Sequence, residues 1–221
     1  MGYIDDKVAG YMDDCYRPLD AELSALRERC EREYIPLILR ETETFLRVYL
    51  EALRPGSILE IGTAYGYSAM FFAKLLPAAR ITTIEREPDI CAIARGYIDA
   101  AVLSGRIEVL CGDALDVLEG LAADGERGRR YDFVFIDAGK SHYSDYLNSV
   151  LRLCADGAVI ICDNIFMRGL LVNEELDPRG KHRTNVRRMN GFLDEIVADP
   201  ALDVSILSAG DGLAIIKRIR K

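Results

Sequence analysis

Short apolar runs and helical stripes alternate along this chain from residue 58 to residue 219. Apolar or β-branched stretches at 58–61, 80–85, 107–110, 131–137 and 157–164 read as strands buried on both faces, the form that parallel sheets take beneath helices. Amphipathic stretches between them predict helices: one opening at Gly66 and running to about residue 76, one from Pro88 to about residue 103, and one opened by Asp113. The stretch 125–130, rich in Gly and Arg, predicts a polar turn before strand four. Beyond strand five, 165–184 predict a loop and 186–197 a helix. Residues 202–207 and 213–219 predict an antiparallel hairpin about Gly210-Asp-Gly212.

Residues 3–54 carry a different pattern. Leu19, Leu23 and Leu26, then Phe45, Leu46, Tyr49 and Leu50, recur at helical spacing with one break at Pro36, and Pro55-Gly56 ends the helices. Such a preface can cover one flank of the sheet, close over a ligand or form a dimer surface; cover is the simplest of the three. The expected fold is therefore α/β and Rossmann-like, a mostly parallel seven-stranded sheet with a C-terminal antiparallel hairpin and N-terminal helices. A single domain, 1–221, is expected, with 1–54 as helical cover and 55–221 as core.

Composition narrows this picture. A chain of 221 residues, 50% hydrophobic, can bury one sizeable core, and its net charge of -8 argues against a broad basic surface without excluding a local basic patch. The six cysteines are scattered with no C-x-x-C pair, which predicts reduced, mostly buried thiols. No apolar run approaches the roughly 20 residues that span a bilayer, and the N-terminus has no basic region followed by an apolar core, so a soluble cytoplasmic protein is expected.

The chemistry gathers at strand ends. Ligands of open α/β sheets bind outside the carboxyl ends of the strands, where strand order reverses. Gly62, with Gly66 opening the next helix, forms a nucleotide-binding type of turn, and its G-x-x-x-G spacing is not the G-x-G-x-x-G of a nicotinamide dehydrogenase. Glu85 closes strand two, 19 residues beyond Gly66, placed to accept hydrogen bonds from two ribose hydroxyls. Asp113 can cap its helix or accept from an adenine amino group. Asp137 and Asp163-Asn164 close strands four and five; together they make an all-oxygen set suited to a hard cation such as Mg²⁺, although strand-end Asp residues also cap turns. Lys140 follows Asp137 by three positions. His142 and His182 have no soft donor near them in the sequence pattern and read as surface or hydrogen-bonded histidines.

Taken together, Ile58-Leu-Glu-Ile-Gly62-Thr-Ala-Tyr-Gly66-Tyr-Ser68, Phe135-Ile-Asp137-Ala-Gly-Lys140-Ser-His-Tyr143, Asp163-Asn164 with Gly169, and Gly210-Asp-Gly-Leu213 resemble the cation-dependent O-methyltransferases of the catechol and caffeoyl-CoA type. The resemblance covers roughly residues 36–219 and implies S-adenosylmethionine as methyl donor. It places Gly62 and Ser68 at the donor's amino-acid end, Glu85 at its ribose, Asp113 and Ala114 at its adenine, and Ile38 in a segment that closes over it, and it counts Glu60 among the residues that bind the donor. It makes Asp137, which also borders the donor, a metal ligand with Asp163 and Asn164, and Lys140 the catalytic base. Many relatives carry an Asp where this chain has Gly139. A homodimer is expected by resemblance alone.

The acceptor stays open. A divalent metal site demands vicinal oxygens, which both a catechol and 5-hydroxyuridine in tRNA offer. Arg179, Lys181, Arg183, Arg187 and Arg188 form a basic cluster after the Asp-Asn motif, preceded by Glu174, Glu175 and Asp177. It resembles the bacterial branch that methylates tRNA 5-hydroxyuridine to 5-methoxyuridine, and such residues can contact RNA phosphates. A solvated helix start, or a site for coenzyme A phosphates on a hydroxycinnamoyl thioester, fits the same residues. tRNA is the leading expectation and a small vicinal diol the alternative.

Overall fold

A computed structural model describes residues 6–123 and 129–219. The turn expected at 125–130 lies largely outside the described residues, as do residues 3–5 of the helical preface. The seven strands are β1 (Ser57–Ile61), β2 (Arg80–Glu85), β3 (Ile107–Cys111), β4 (Tyr131–Ile136), β5 (Cys154–Asp163), β6 (Leu202–Leu207) and β7 (Leu213–Arg218). They form one sheet in the order β3-β2-β1-β4-β5-β7-β6. β7 runs antiparallel to both β5 and β6, and the other neighbouring pairs are parallel. The order reverses between β1 and β4.

Alternation along each strand sends side chains to two cores. Ile58, Ile81, Phe133, Phe135 and Ile161 meet α2 (Ala21–Arg32), α3 (Arg40–Leu53), α4 (Tyr67–Leu75) and α5 (Pro88–Ala100). Leu59, Ile84, Val134, Ile136 and Ile160 meet α6 (Ala114–Ala123), α7 (Tyr143–Val150) and α8 (Arg183–Ala198). Phe72 sits edge-on to both Phe133 and Phe135, at 6.0 and 5.6 Å between ring centroids, which locks α4 onto the sheet.

The N-terminal preface is three helices rather than two, since α1 (Asp6–Cys15) precedes α2. Leu23, Leu26, Cys30, Leu46 and Leu50 are buried with Phe71 and Phe72, so α2 and α3 do cover the sheet. Val8, Tyr11 and Met12 of α1 stay exposed. Some details differ from expectation. β5 begins at Cys154, three residues early. α8 begins at Arg183, and the preceding loop holds short 3₁₀ turns at Met167–Gly169 and Glu174–Leu176. Helix α7 was not expected, although Tyr143, Tyr146, Leu147 and Val150 supply an i, i+3, i+4, i+7 apolar face. Of the cysteines, Cys30, Cys91 and Cys162 are buried, Cys154 is half-buried, and Cys15 and Cys111 are exposed, so the thiols are less uniformly buried than expected. Among the described residues no helix is long and apolar enough to cross a membrane.

Candidate active site

Strand register sets four chemistry-bearing residues in one row. Ile84, Ile61, Ile136 and Cys162 are neighbours across β2, β1, β4 and β5, so the next residue on each strand, Glu85, Gly62, Asp137 and Asp163, emerges at the same edge. The ladder continues past the strand ends: Gly62 N donates to Ile84 O at 3.0 Å and Asp137 N to Ile61 O at 2.9 Å. Gly62 has φ +102°, and a Cβ there would fall 2.1 Å from the carbonyl oxygen of Asp137. Only glycine lets the β1 and β4 ends close up at the reversal point.

A cavity of about 560 Å³ opens on this row. Gly62, Ser68, Glu85, Asp113, Ala114, Asp137, Lys140 and Asn164 line it, and Ile38 reaches it from the α2–α3 connection. A larger cleft, about 740 Å³, lies at the amino ends of β1 to β3 and is lined by Arg80, Arg95, Arg106 and Arg129. Those guanidiniums act as struts, donating to backbone carbonyls or pairing with Glu108, and none of the residues singled out in the sequence lies there.

Glu85 is held rather than free. Its Oε2 accepts from Ala64 N at 3.0 Å, and Oε1 accepts from Arg86 N at 2.9 Å and Glu87 N at 3.1 Å. Three backbone donors thus fix a carboxylate that lines the cavity and keeps capacity to accept further hydrogen bonds. Asp113 does what capping predicts, accepting from Leu115 N at 2.9 Å, and also lines the cavity, so its two readings coexist. α4 opens at Gly66, φ 85°, with no side-chain cap, leaving its first N–H groups available beside Ser68.

Glu60 is not a wall of the cavity. It is fully buried inside the sheet, where Thr83 Oγ1 donates to its Oε2 at 2.5 Å. Thr83 Oγ1 also lies 2.5 Å from Thr63 Oγ1, so Thr63 must be the donor of that pair. Oε1 accepts no well-directed hydrogen bond, although the Ser68 hydroxyl is close enough to favour the charged form. Burial pushes the carboxyl up to about 7, against the pull of the Ser68 and Thr83 hydroxyls. The hydroxyl chain lets Glu60 support the loop after Gly62 from below. Thr63 and Thr83 were not anticipated, since a partner 20 or more residues away leaves no local pattern.

The acidic end is tightly wired. Lys140 Nζ donates to Asp137 Oδ1 at 2.9 Å, to Tyr143 OH at 2.8 Å and to the Asp163 carbonyl at 3.3 Å. Tyr143, itself buried, donates to the same carbonyl at 2.7 Å. Asp163 is fully buried; Oδ1 accepts from Asn164 N at 2.6 Å while Oδ2 has no partner. Burial first, then the neighbouring Asp137 charge, raises Asp163 to about 7. Asn164 turns the chain at φ 58°, a conformation asparagine accepts more readily than most residues. Asp211 holds the following loop by accepting from Arg168 N through both oxygens, at 2.7 and 2.9 Å.

A lone buried carboxylate oxygen beside a second carboxylate is a poor arrangement for a protein left to itself and a good one for a cation. Asp137, Asp163 and Asn164 offer only hard oxygen donors, which fits Mg²⁺ or a similar ion. Among the described residues no group of three or more His, Cys, Asp or Glu side chains gathers to hold a metal.

The basic stretch divides. Arg188 NH1 donates to the Ser141 carbonyl at 3.1 Å and so braces the loop that carries Lys140. Arg179, Lys181, Arg183 and Arg187 are exposed, and Asp177 accepts from the backbone N–H groups of Lys181 and His182. None of the five lines the cavity. His142 does line it and faces Asp145 at 3.6 Å, whereas His182 is exposed.

Known proteins are similar to this chain in sequence and in fold. A catechol O-methyltransferase of Niastella koreensis is 32% identical over 224 residues, covering 97% of this chain and 95% of that protein. Caffeoyl-CoA O-methyltransferase 2 of Populus trichocarpa is 30% identical over 181 residues, 80% of this chain and 72% of that one. The structure of an O-methyltransferase from Bacillus cereus in complex with SAH superimposes with a TM-score of 0.81 at 28% identity, covering 96% of this chain and 97% of that one. The family model described as O-methyltransferase matches residues 18–219, nearly the whole described core and its N-terminal cover. By the family match over residues 18–219 and by the identity to a catechol O-methyltransferase across most of both chains, the chain belongs to the O-methyltransferase family.

Proposed function

We propose that the protein transfers the methyl group of S-adenosylmethionine to one hydroxyl of an acceptor with two vicinal oxygens, with a divalent cation held by Asp137, Asp163 and Asn164. The observation that carries this reading is the fully buried Asp163, whose Oδ2 has no partner, next in the chain to Asn164, which lines the cavity together with Asp137, Glu85 and Lys140. Glu85 would take the ribose hydroxyls, Asp113 and Ala114 the adenine, and Gly62, Ser68 and the free N–H groups of α4 the carboxylate of the amino-acid end. Bound there, the donor supplies an electrophilic methyl and the cation acidifies the chelated hydroxyl.

The remaining work belongs to the chain. Lys140 Nζ is the group placed to take up the hydroxyl proton of the acceptor or to offset the charge it leaves, and Asp137 and Tyr143 hold that nitrogen in place. Transfer to the acceptor oxygen would break the donor's carbon–sulfur bond as the new oxygen–carbon bond formed, so the site must hold the two in line at about 3 Å. Buried Asp163 and Tyr143 restrict water on the acidic side of the site.

A small catechol-like acceptor is the reading best supported, because relatives named for catechol and caffeoyl-CoA methylation align over most of the chain. A second reading, 5-hydroxyuridine in tRNA, rests on Arg179, Lys181, Arg183 and Arg187, four exposed cations in a chain of net charge -8. Labelled S-adenosylmethionine offered with Mg²⁺ to a catechol panel and to tRNA lacking the modification decides between them. Label in catechols alone supports the first reading, label in RNA alone the second, and label in neither refutes both.

A further inference from the structure

Behind the cavity, three N-terminal elements meet in a buried polar knot. Arg27 of α2 and Glu43 of α3 are both nearly inaccessible, and Arg27 NH2 donates to Glu43 Oε2 at 2.5 Å. Tyr67, the first residue of α4, accepts from Arg27 Nε at 3.2 Å and donates to Glu43 Oε2 at 2.7 Å. Tyr16 OH donates to Glu43 Oε1 at 3.0 Å, and the Arg27 guanidinium stacks 4.6 Å from the Tyr67 ring centroid. The knot touches the cavity twice. Tyr67 lines it and precedes Ser68, and Arg27 NH2 donates to the carbonyl of Ile38 at 3.0 Å.

That second contact matters because of what surrounds it. Leu37 and Ile38 line the cavity, yet among the described residues the Pro36–Ile38 stretch makes no backbone-to-backbone hydrogen bond. The turn at Tyr34, φ 56°, precedes it and α3 follows it. Packing of Ile38 and the one Arg27 bond therefore set where this wall stands. A buried ion pair seldom adds much stability compared with apolar residues of similar volume, so its use here is better sought in the geometry it imposes.

We propose that Arg27, braced by Glu43, is a positioning residue for the methyl donor: it fixes the Ile38 wall and the start of α4 at one mutual distance, so that the cavity is preformed. The inference rests on the donor occupying this cavity. It predicts that loosening the knot weakens donor binding while leaving the chemical step nearly intact.

The test compares Arg27→Lys, which keeps the charge but cannot reach three acceptors at once, with Tyr67→Phe, which removes only a hydroxyl, and with Lys74→Ala. Lys74 ties α2 to α4 through Asp20 and Glu22, at 2.5 and 2.6 Å, away from the cavity. Calorimetry with S-adenosylhomocysteine, steady-state kinetics and thermal melts are run on each. Arg27→Lys should raise both Kd and the donor KM about ten-fold, with kcat at saturating donor within about two-fold, and Tyr67→Phe should do the same to a smaller degree. Lys74→Ala should lower Tm without moving Kd. If Arg27→Lys and Tyr67→Phe lower Tm but leave Kd and KM as in the wild type, or if Lys74→Ala shifts Kd equally, the knot is structural and the proposal is wrong. Wild-type protein that does not bind S-adenosylhomocysteine would instead overturn the donor reading itself, and this inference with it.

Discussion

Replacing Glu60 by Gln should flatten the pH dependence of stability, and the size of the effect follows from burial. The folded carboxyl is raised from its ordinary value of 4.5 to about 7. Between those values the unfolded chain has lost the proton that the folded chain still holds. Stability is therefore greatest below about pH 4.5, falls as pH rises towards 7, and is level above that for this group. Converted at 1.36 kcal/mol per pKa unit, the cost grows by about 2–3 kcal/mol between pH 5 and pH 8. Gln keeps the shape and an acceptor for the Thr83 hydroxyl but cannot ionise. Urea unfolding of both proteins at pH 5, 6, 7 and 8 isolates the effect, because every other titrating group, Asp163 included, is common to the two and cancels in the difference. The gap in unfolding free energy should move in favour of Gln by about 2–3 kcal/mol across that range. Parallel curves would show that Glu60 is not a desolvated acid, and the account of the support beneath the Gly62 loop would fail.

Gly62→Ala should destabilise the protein by about 2–5 kcal/mol, the sum of a left-handed backbone penalty and the clash with the Asp137 carbonyl, as read by chemical denaturation. Tyr143→Phe removes the hydroxyl that links Lys140 to the Asp163 carbonyl; kcat should fall by roughly ten- to a hundred-fold with the donor KM unchanged, in initial-rate assays. Arg188→Ala should depress turnover of every acceptor because it unbraces the Ser141 loop, whereas Arg187→Ala should matter only if RNA is the acceptor, a contrast visible in the same labelling assay.

Much of this was legible in the sequence because the relevant patterns are local. Buried strands that stop abruptly at Glu85, Asp137 and Asp163 announce a parallel sheet with its acids at one edge, and the register bears out that row. Pairing over long separations was not legible. Arg27 finds Glu43 and Tyr67 at 16 and 40 residues' distance, and Thr63 finds Thr83 at 20, so these networks exist only once the helices and strands have packed. Glu60 shows how alternation adds to a local pattern: its place beside the glycine loop suggests contact with the donor, and the strand turns its side chain into the buried α4 side of the sheet. Arg188 likewise belongs by composition to a basic cluster and by geometry to the Lys140 loop.

The central claim is that Asp137, Asp163 and Asn164 hold a divalent cation on which methyl transfer depends. Isothermal titration of EDTA-treated protein with Mg²⁺ and with Mn²⁺, paired with labelled-methyl transfer to a catechol before and after the metal is restored, tests it most directly. The account predicts saturable binding of about one ion per chain, transfer lost with the metal and regained with it, and both absent in Asp163→Asn. Transfer at the full rate in EDTA, or metal binding unchanged in Asp163→Asn, would contradict it.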